Sequence, residues 1–229
     1  MSGFKDQLPK QWGLAVTGVK TRLATNKKVI ALTFDACGGA RGSCYDEKLI
    51  NFLKKQKIKA TLFINSRWID KNHVAFLRLA SDPLFEIENH GSNHLPCSVN
   101  GKPAYGIKGT KNAKEVIDEI DLNGKKIEEL TGKKPRFYRS GTAHYDEIAV
   151  KIAEQLGYQV VNFNVNGDLG ATASAAFIYQ KLFSAQPGSI IILHMNQPRG
   201  ETAEGLIKAI PILRKKWFSF VKLKEYNLE

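Results

Sequence analysis

Short β-rich runs alternate with longer amphipathic stretches about seven times, with no linker between them. This regularity restricts the fold more than any other feature. Lys28–Phe34 (KVIALTF) is β-branched and aromatic and too short for a typical helix, so it reads as a buried strand. Asp46–Lys57 follows as a helix, with Leu49, Ile50, Phe52 and Leu53 on one face and Asp46 as its N-cap. Further strands are expected at Ala60–Asn65, Phe85–His90, Arg136–Arg139, Tyr158–Asn164, Ser189–His194 and Trp217–Leu223. Helices are expected around Asp70–Ala80, Asn112–Thr131, Asp146–Leu156, Ser174–Ser184 and Ala203–Lys215. Such alternation requires parallel strands with helical crossovers, as an open doubly wound sheet or a closed barrel.

The 229 residues suit one large α/β domain, and 43% hydrophobic content supports a real core. No stretch approaches the roughly 20 apolar residues of a membrane helix, so no stable membrane insertion is expected. The N-terminus lacks a charged-then-apolar leader, so the protein is either cytoplasmic or begins after a removed one. The net charge of +12 is spread along the chain. It fits a soluble basic protein in general and, more narrowly, contact with a polyanion such as nucleic acid, a membrane surface or an anionic wall polymer. No glycine-rich phosphate loop follows the first strand, which argues against a nucleotide site. Cys37, Cys44 and Cys97 are too few for a disulfide scaffold and lack CxxC spacing.

The reactive residues fall at strand ends. Asp35 follows the first strand, His90 ends the third, Arg139 ends the fourth, Asp168 follows the fifth and His194 ends the sixth. Ligands of α/β folds bind at this edge, so the coincidence points to an enzyme. His90 and His94 can turn two imidazoles toward one metal, although such pairs also arise by chance on surfaces. Asp35 can serve as a metal ligand, a general base or a simple turn cap. His194 can be a general acid or a core histidine satisfied by backbone. Cys37 reads first as an inert or disulfide-bonded thiol and only then as a ligand. Trp12, Trp68 and Trp217 read as packing residues, and His144 as a loop residue near the cleft.

Leu32-Thr33-Phe34-Asp35, His90-x-x-x-His94, Arg139 with its loop, Asp168 and Leu193-His194 together resemble the polysaccharide deacetylases, the NodB-homology domain of carbohydrate esterase family 4. The resemblance runs from about Val29 to the C-terminus. It implies a distorted (β/α)7 barrel over residues 28–229, with residues 1–27 an extension packed on it. It implies that His90 and His94 bind a divalent metal, zinc first. Asp35 would be the base, His194 the acid protonating the departing amine, Asp168 the partner of His194, and Arg139 the partner of Asp35. Leu193 and Tyr145 would bind substrate. The family's second aspartate is Ala36 here, which leaves the third ligand open between Asp35, Cys37 and water. The proline-rich turn after Arg139 is also replaced, by Ser140-Gly141-Thr142-Ala143-His144.

The expected activity is removal of N-acetyl groups from GlcNAc or MurNAc residues of peptidoglycan or another N-acetylated polysaccharide, by a monomer in the periplasm or outside the cell. A chitin or chitooligosaccharide deacetylase, a ring-opening amidase, and a weakened carbohydrate-binding scaffold are the alternatives. Nucleic acid is not an expected partner. In the barrel, Cys44 and Cys97 lie on loops at the same end, which makes a disulfide between them geometrically plausible.

Overall fold

The computed structural model describes Phe4 and residues 7–229. The first strand, β1, spans Val29–Ala36 and is buried throughout. Its side chains alternate between faces. Ile30, Leu32, Phe34 and Ala36 join the core beneath the helices. Val29 and Ala31 face inward with Phe63 and Phe137. Thr33 and Asp35 continue that inner column, where both meet the Arg139 guanidinium.

Helix α1 (Glu47–Lys55) starts where the Asp46 carboxylate accepts the Leu49 N–H. Strand β2 (Ala60–Ile64) follows. The single helix expected around 70–80 is two, α2 (Ser66–Lys71) and α3 (His73–Ser81). They divide at Asn72, whose side-chain amide donates to the Ser43 and Trp68 carbonyls. Strand β3 (Phe85–Asn89) leads through a long loop to α4 (Ala113–Thr131). Asn112 caps the start of α4, and Gly132, at φ 69°, ends it in the left-handed region. Next come β4 (Phe137–Tyr138), α5 (Glu147–Gln155), β5 (Gln159–Val160) and β6 (Val165–Asn166). The chain then forms α6 (Ala175–Phe183), β7 (Ile190–His194), α7 (Thr202–Lys215) and β8 (Ser219–Val221).

These strands build one sheet in the order β5-β4-β3-β2-β1-β7-β6, with β8 also paired to β1. Every named pairing is parallel. The result is a distorted (β/α)7 barrel that stays open between β5 and β6.

That opening corrects the expectation of one strand over Tyr158–Asn164. β5 pairs with β4, and β6 pairs with β7. Between them the carbonyls of Val161 and Asn162 accept from Arg139 and do not extend a ladder. An N-terminal stretch spans the breach. Lys20 exchanges backbone bonds with Val160 and Asn162, and the Leu23 N–H donates to the Gly188 carbonyl. Residues 1–3, 5 and 6 of the expected extension 1–27 lie outside the described residues.

Register then aligns the chemistry. Asp35 on β1 lies directly opposite His194 on β7, although 159 positions separate them in sequence (194 − 35). Asn89, just before His90, lies opposite both Ile64 and Tyr138.

Helices α6 and α7 meet at Gly205, where an added Cβ would lie 2.4 Å from Ile178 Cγ2 and 2.5 Å from its Cβ. Helix propensity alone favours alanine by about 1 kcal/mol. Overpacking against a fully buried branch point costs about 1–3 kcal/mol, so the clash should win. Gly205→Ala is therefore expected to lower the urea midpoint at unchanged slope. An equal or higher midpoint would mean that α6 yields freely at this contact.

Candidate active site

The site begins with a buried charge. Asp35 and Arg139 are both buried, and Arg139 has no exposed surface. One Arg139 terminal nitrogen donates to Asp35 Oδ1 at 2.8 Å and to Thr33 Oγ1 at 2.9 Å. Its Nε and other terminal nitrogen donate to the carbonyls of Val161 and Asn162. The guanidinium also lies 4.2 Å from the centre of the Phe63 ring. Burial by itself would raise the Asp35 pKa, but Arg139, His90 and His194 outweigh it and hold the carboxyl below its usual range.

His90 follows β3. Its Nδ1 lies 2.9 Å from the Arg139 carbonyl, an acceptor only, so Nδ1 carries the hydrogen. Nε2 then points inward with no hydrogen-bond partner and with Asp35 Oδ2 3.6 Å away. His94 Nε2 is likewise buried and unpartnered. The residue itself sits at φ 61°, in the left-handed region.

Two contacts hold that unusual turn. The buried Glu119 carboxylate of α4 accepts the backbone N–H groups of Asn93 and Leu95. On the other side, Gly141 lies so close that a Cβ there would fall 2.2 Å from the His94 carbonyl carbon. The replaced turn after Arg139 therefore needs glycine at this position.

The second acid–base unit lies on β7. His194 Nδ1 meets Asp168 Oδ1 at 2.9 Å. Asp168 Oδ2 accepts the His194 N–H and the Thr202 hydroxyl. Burial opposes a charged imidazole, yet the Asp168 charge and hydrogen bond prevail and raise the His194 pKa well above the ordinary value. The same pairing overcomes burial at Asp168 and lowers its pKa.

Cys37 completes the group. Ala36 turns into the apolar core, whereas the Cys37 sulfur and donor nitrogens of His90 and His94 all lie within 4.8 Å of one another. Burial would raise the thiol's pKa, but the imidazoles of His94, His194 and His90 carry it well below the usual value. Two unpartnered imidazole nitrogens beside a cysteine sulfur form a donor set that suits a divalent metal.

These groups open onto a cavity of about 380 Å³, with Asp35, Cys37, His94 and His194 in its lining. Phe163 and Ile192 form an apolar wall, and Tyr105 and Leu169 stand at its rim. A larger depression of about 580 Å³ lies over α1 and α3, away from all of these residues.

Several expectations change here. Leu193 does not line the cavity. Strand alternation turns it into the core with Ile191, and Ile192 shares the His194 face. Tyr145 is fully buried, and its hydroxyl accepts the Ser140 N–H and donates to Asn162 Oδ1. Cys44 and Cys97 form no disulfide. All three cysteines are free, Cys97 buried and Cys44 exposed. Trp68 is a packing residue, whereas Trp217 is 81% exposed. His144 packs between Trp12 and Tyr105 and bonds the Thr142 carbonyl.

The parts played by Glu119 and Thr202 are not legible in the sequence, and Gly141 stands out there only as part of the replaced turn. Glu119 left one signal, an acid inside the apolar stripe formed by Val116, Ile120 and Ile127. Thr202 left none, and nothing local revealed the close approach of Gly141 to His94, because both partners lie far away in sequence.

A family profile described as polysaccharide deacetylase matches residues 22–161. Over 210 residues the chain is 28% identical to the peptidoglycan-N-acetylmuramic acid deacetylase PdaA of Bacillus subtilis, covering 90% of this chain and 73% of that protein. Over 217 residues it is 27% identical to a Bacillus cereus peptidoglycan-N-acetylglucosamine deacetylase, covering 93% and 94%. The solved structure of Bacillus subtilis PdaA, a family 4 carbohydrate esterase, superposes with a TM-score of 0.75 at 26% identity, covering 98% and 94%.

Arg139→Met should strand a buried carboxylate and cost about 3–5 kcal/mol of stability at neutral pH. The native Asp35 pKa lies below its unfolded value. Its contribution is therefore present above the unfolded pKa and lost as pH falls through the native one. Without Arg139 the folded pKa rises, so the deficit should shrink as pH drops toward about 4. Urea denaturation at both pH values measures this. Equal deficits would reduce Arg139 to a packing role.

Proposed function

This chain belongs to the polysaccharide deacetylase family, and we propose that it is a metal-dependent hydrolase removing N-acetyl groups from GlcNAc or MurNAc residues of peptidoglycan. One observation carries the reading. Asp35, held ionised by Arg139, and His194, held protonated by Asp168, sit opposite each other on adjacent strands and face one cavity. A base and an acid with pKa values driven apart are what amide hydrolysis requires.

His90 and His94 would hold the metal, with zinc the first choice for imidazole donors. When bound, the metal supplies Lewis-acid polarisation of the acetamide carbonyl and stabilises the developing negative charge. Arg139 occupies Oδ1 of Asp35, which leaves Oδ2 to take the proton of the attacking water. Asp168 occupies Nδ1 of His194, so Nε2 delivers a proton to the departing sugar amine. The C–N bond breaks, acetate leaves, and the amine retains the delivered proton. Phe163 and Ile192 offer an apolar surface for the acetyl methyl group.

The named relatives act on peptidoglycan, and the +12 charge suits an anionic wall polymer. We place the catalytic unit at residues 28–229, with residues 1–27 as its extension, acting as a monomer in the periplasm or outside the cell. No helix among the described residues is long and apolar enough to cross a membrane.

The test is acetate release from purified peptidoglycan, with chitin oligomers as the competing substrate. His194→Ala should cut turnover by about 100-fold or more. Activity requires protonated His194 and so falls as pH rises through its pKa, which Asp168 raises. Asp168→Asn should then move the alkaline limb to lower pH. Normal acetate release by His194→Ala, or none from peptidoglycan by the unaltered protein, would overturn the reading.

A further inference from the structure

We propose that Cys37 is the third protein ligand of the metal, giving a sulfur–nitrogen–nitrogen centre. This rests on the reading of His90 and His94 as metal ligands. Three features of the structure carry it.

First, the donors converge. Among the described residues, the one group of three or more acids, histidines and cysteines whose donor atoms all lie within 4.8 Å of one another is Cys37, His90 and His94. Asp35, the other candidate, is not in that group, and its Oδ1 is committed to Arg139. Second, one nitrogen of each imidazole is buried without a partner. His90 is 1% exposed, and Nε2 of both His90 and His94 makes no hydrogen bond. Buried polar atoms are normally satisfied, and a cation shared with the neighbouring Cys37 sulfur would satisfy both at once.

Third, the backbone holds Cys37 in place. The Ala36 carbonyl accepts the Asn65 N–H, and the Cys37 carbonyl accepts from Arg67. The chain then turns away through Gly38, at φ 71°, whose N–H donates to the Gly42 carbonyl. A Cβ at Gly38 would fall 2.7 Å from the Trp68 backbone nitrogen, so the turn is fixed against α2. Ala36, lacking any donor, faces the core, and the next side chain supplies the sulfur.

Three protein donors with room left for water or substrate is the arrangement of a catalytic zinc centre. A thiolate also shifts preference toward zinc and cobalt and away from magnesium, calcium and manganese.

Cobalt(II) is the probe. The unaltered chain should bind one cobalt and develop thiolate-to-cobalt charge-transfer absorption in the near ultraviolet. Cys37→Ser should abolish that band and weaken zinc in a chelator competition by roughly tenfold or more. Zinc should also slow iodoacetamide alkylation of Cys37 in the unaltered protein, a measurement that stands even if the variant fails to fold. One bound cobalt without the band, and unchanged alkylation under zinc, would overturn the Cys37 assignment. The histidine reading survives that result if His90→Ala loses the cobalt. Failure of the unaltered chain to bind cobalt or zinc would overturn both.

Discussion

Burying an arginine with no exposed surface costs several kcal/mol unless its donors find partners, and all three side-chain nitrogens of Arg139 find them. It bonds Asp35 and Thr33 on β1 and two carbonyls of the segment after β5. The Thr33 hydroxyl in turn donates to the Ile191 carbonyl on β7. One guanidinium thus ties the end of β4 to the centre of the sheet and to the strand next to the opening. The absence of a β5–β6 ladder is tolerable because this inner network and the Lys20–Leu23 stretch connect the two sides. The same guanidinium keeps Asp35 charged in a place where burial would otherwise neutralise it.

Environment, not residue type, sorts the buried acids. Asp35 and Asp168 each have a cationic partner and are held low. Glu88 and Glu119 are also buried, but burial dominates for both and raises their pKa values despite backbone N–H donors. Asp35 lines the cavity and Asp168 holds His194, which also lines it, whereas the second pair holds backbone. Glu88 anchors Arg136 and Phe137 at the start of β4, and Glu119 anchors the His90–His94 loop. The scaffold beneath Arg139 and the histidines is therefore fixed by acids that do not line the cavity.

The sequence carried the strand ends well. Asp35, His90, Arg139, Asp168 and His194 were legible as candidates because each lies at or just after the end of an expected strand, and parallel strands bring such ends to one edge. Helix limits were legible for the same local reason. Asp46, Asn112, Asp146 and Ser174 each cap the helix they precede. Leu193, which the family resemblance puts at the substrate, lies in the core because period-two alternation turns it away from the His194 face. Tyr145 sits beside the site in sequence, but its hydroxyl is consumed in the core.

Local periodicity and capping act over a few residues, so the sequence alone determined the alternating fold and the edge where reactive groups gather. Only the tertiary structure decided which groups touch. The pairing of Asp35 with His194 follows from β7 adding beside β1 in one register. The split of Tyr158–Asn164 follows from carbonyls diverted to Arg139. The turn of Cys37 toward two imidazoles, and the close pass of Gly141 by His94, depend on loops from distant strands meeting at one barrel end. Those contacts join residues tens to more than a hundred positions apart. No spacing along the chain encodes them, because they are set by sheet order, register and the need to satisfy buried polar atoms.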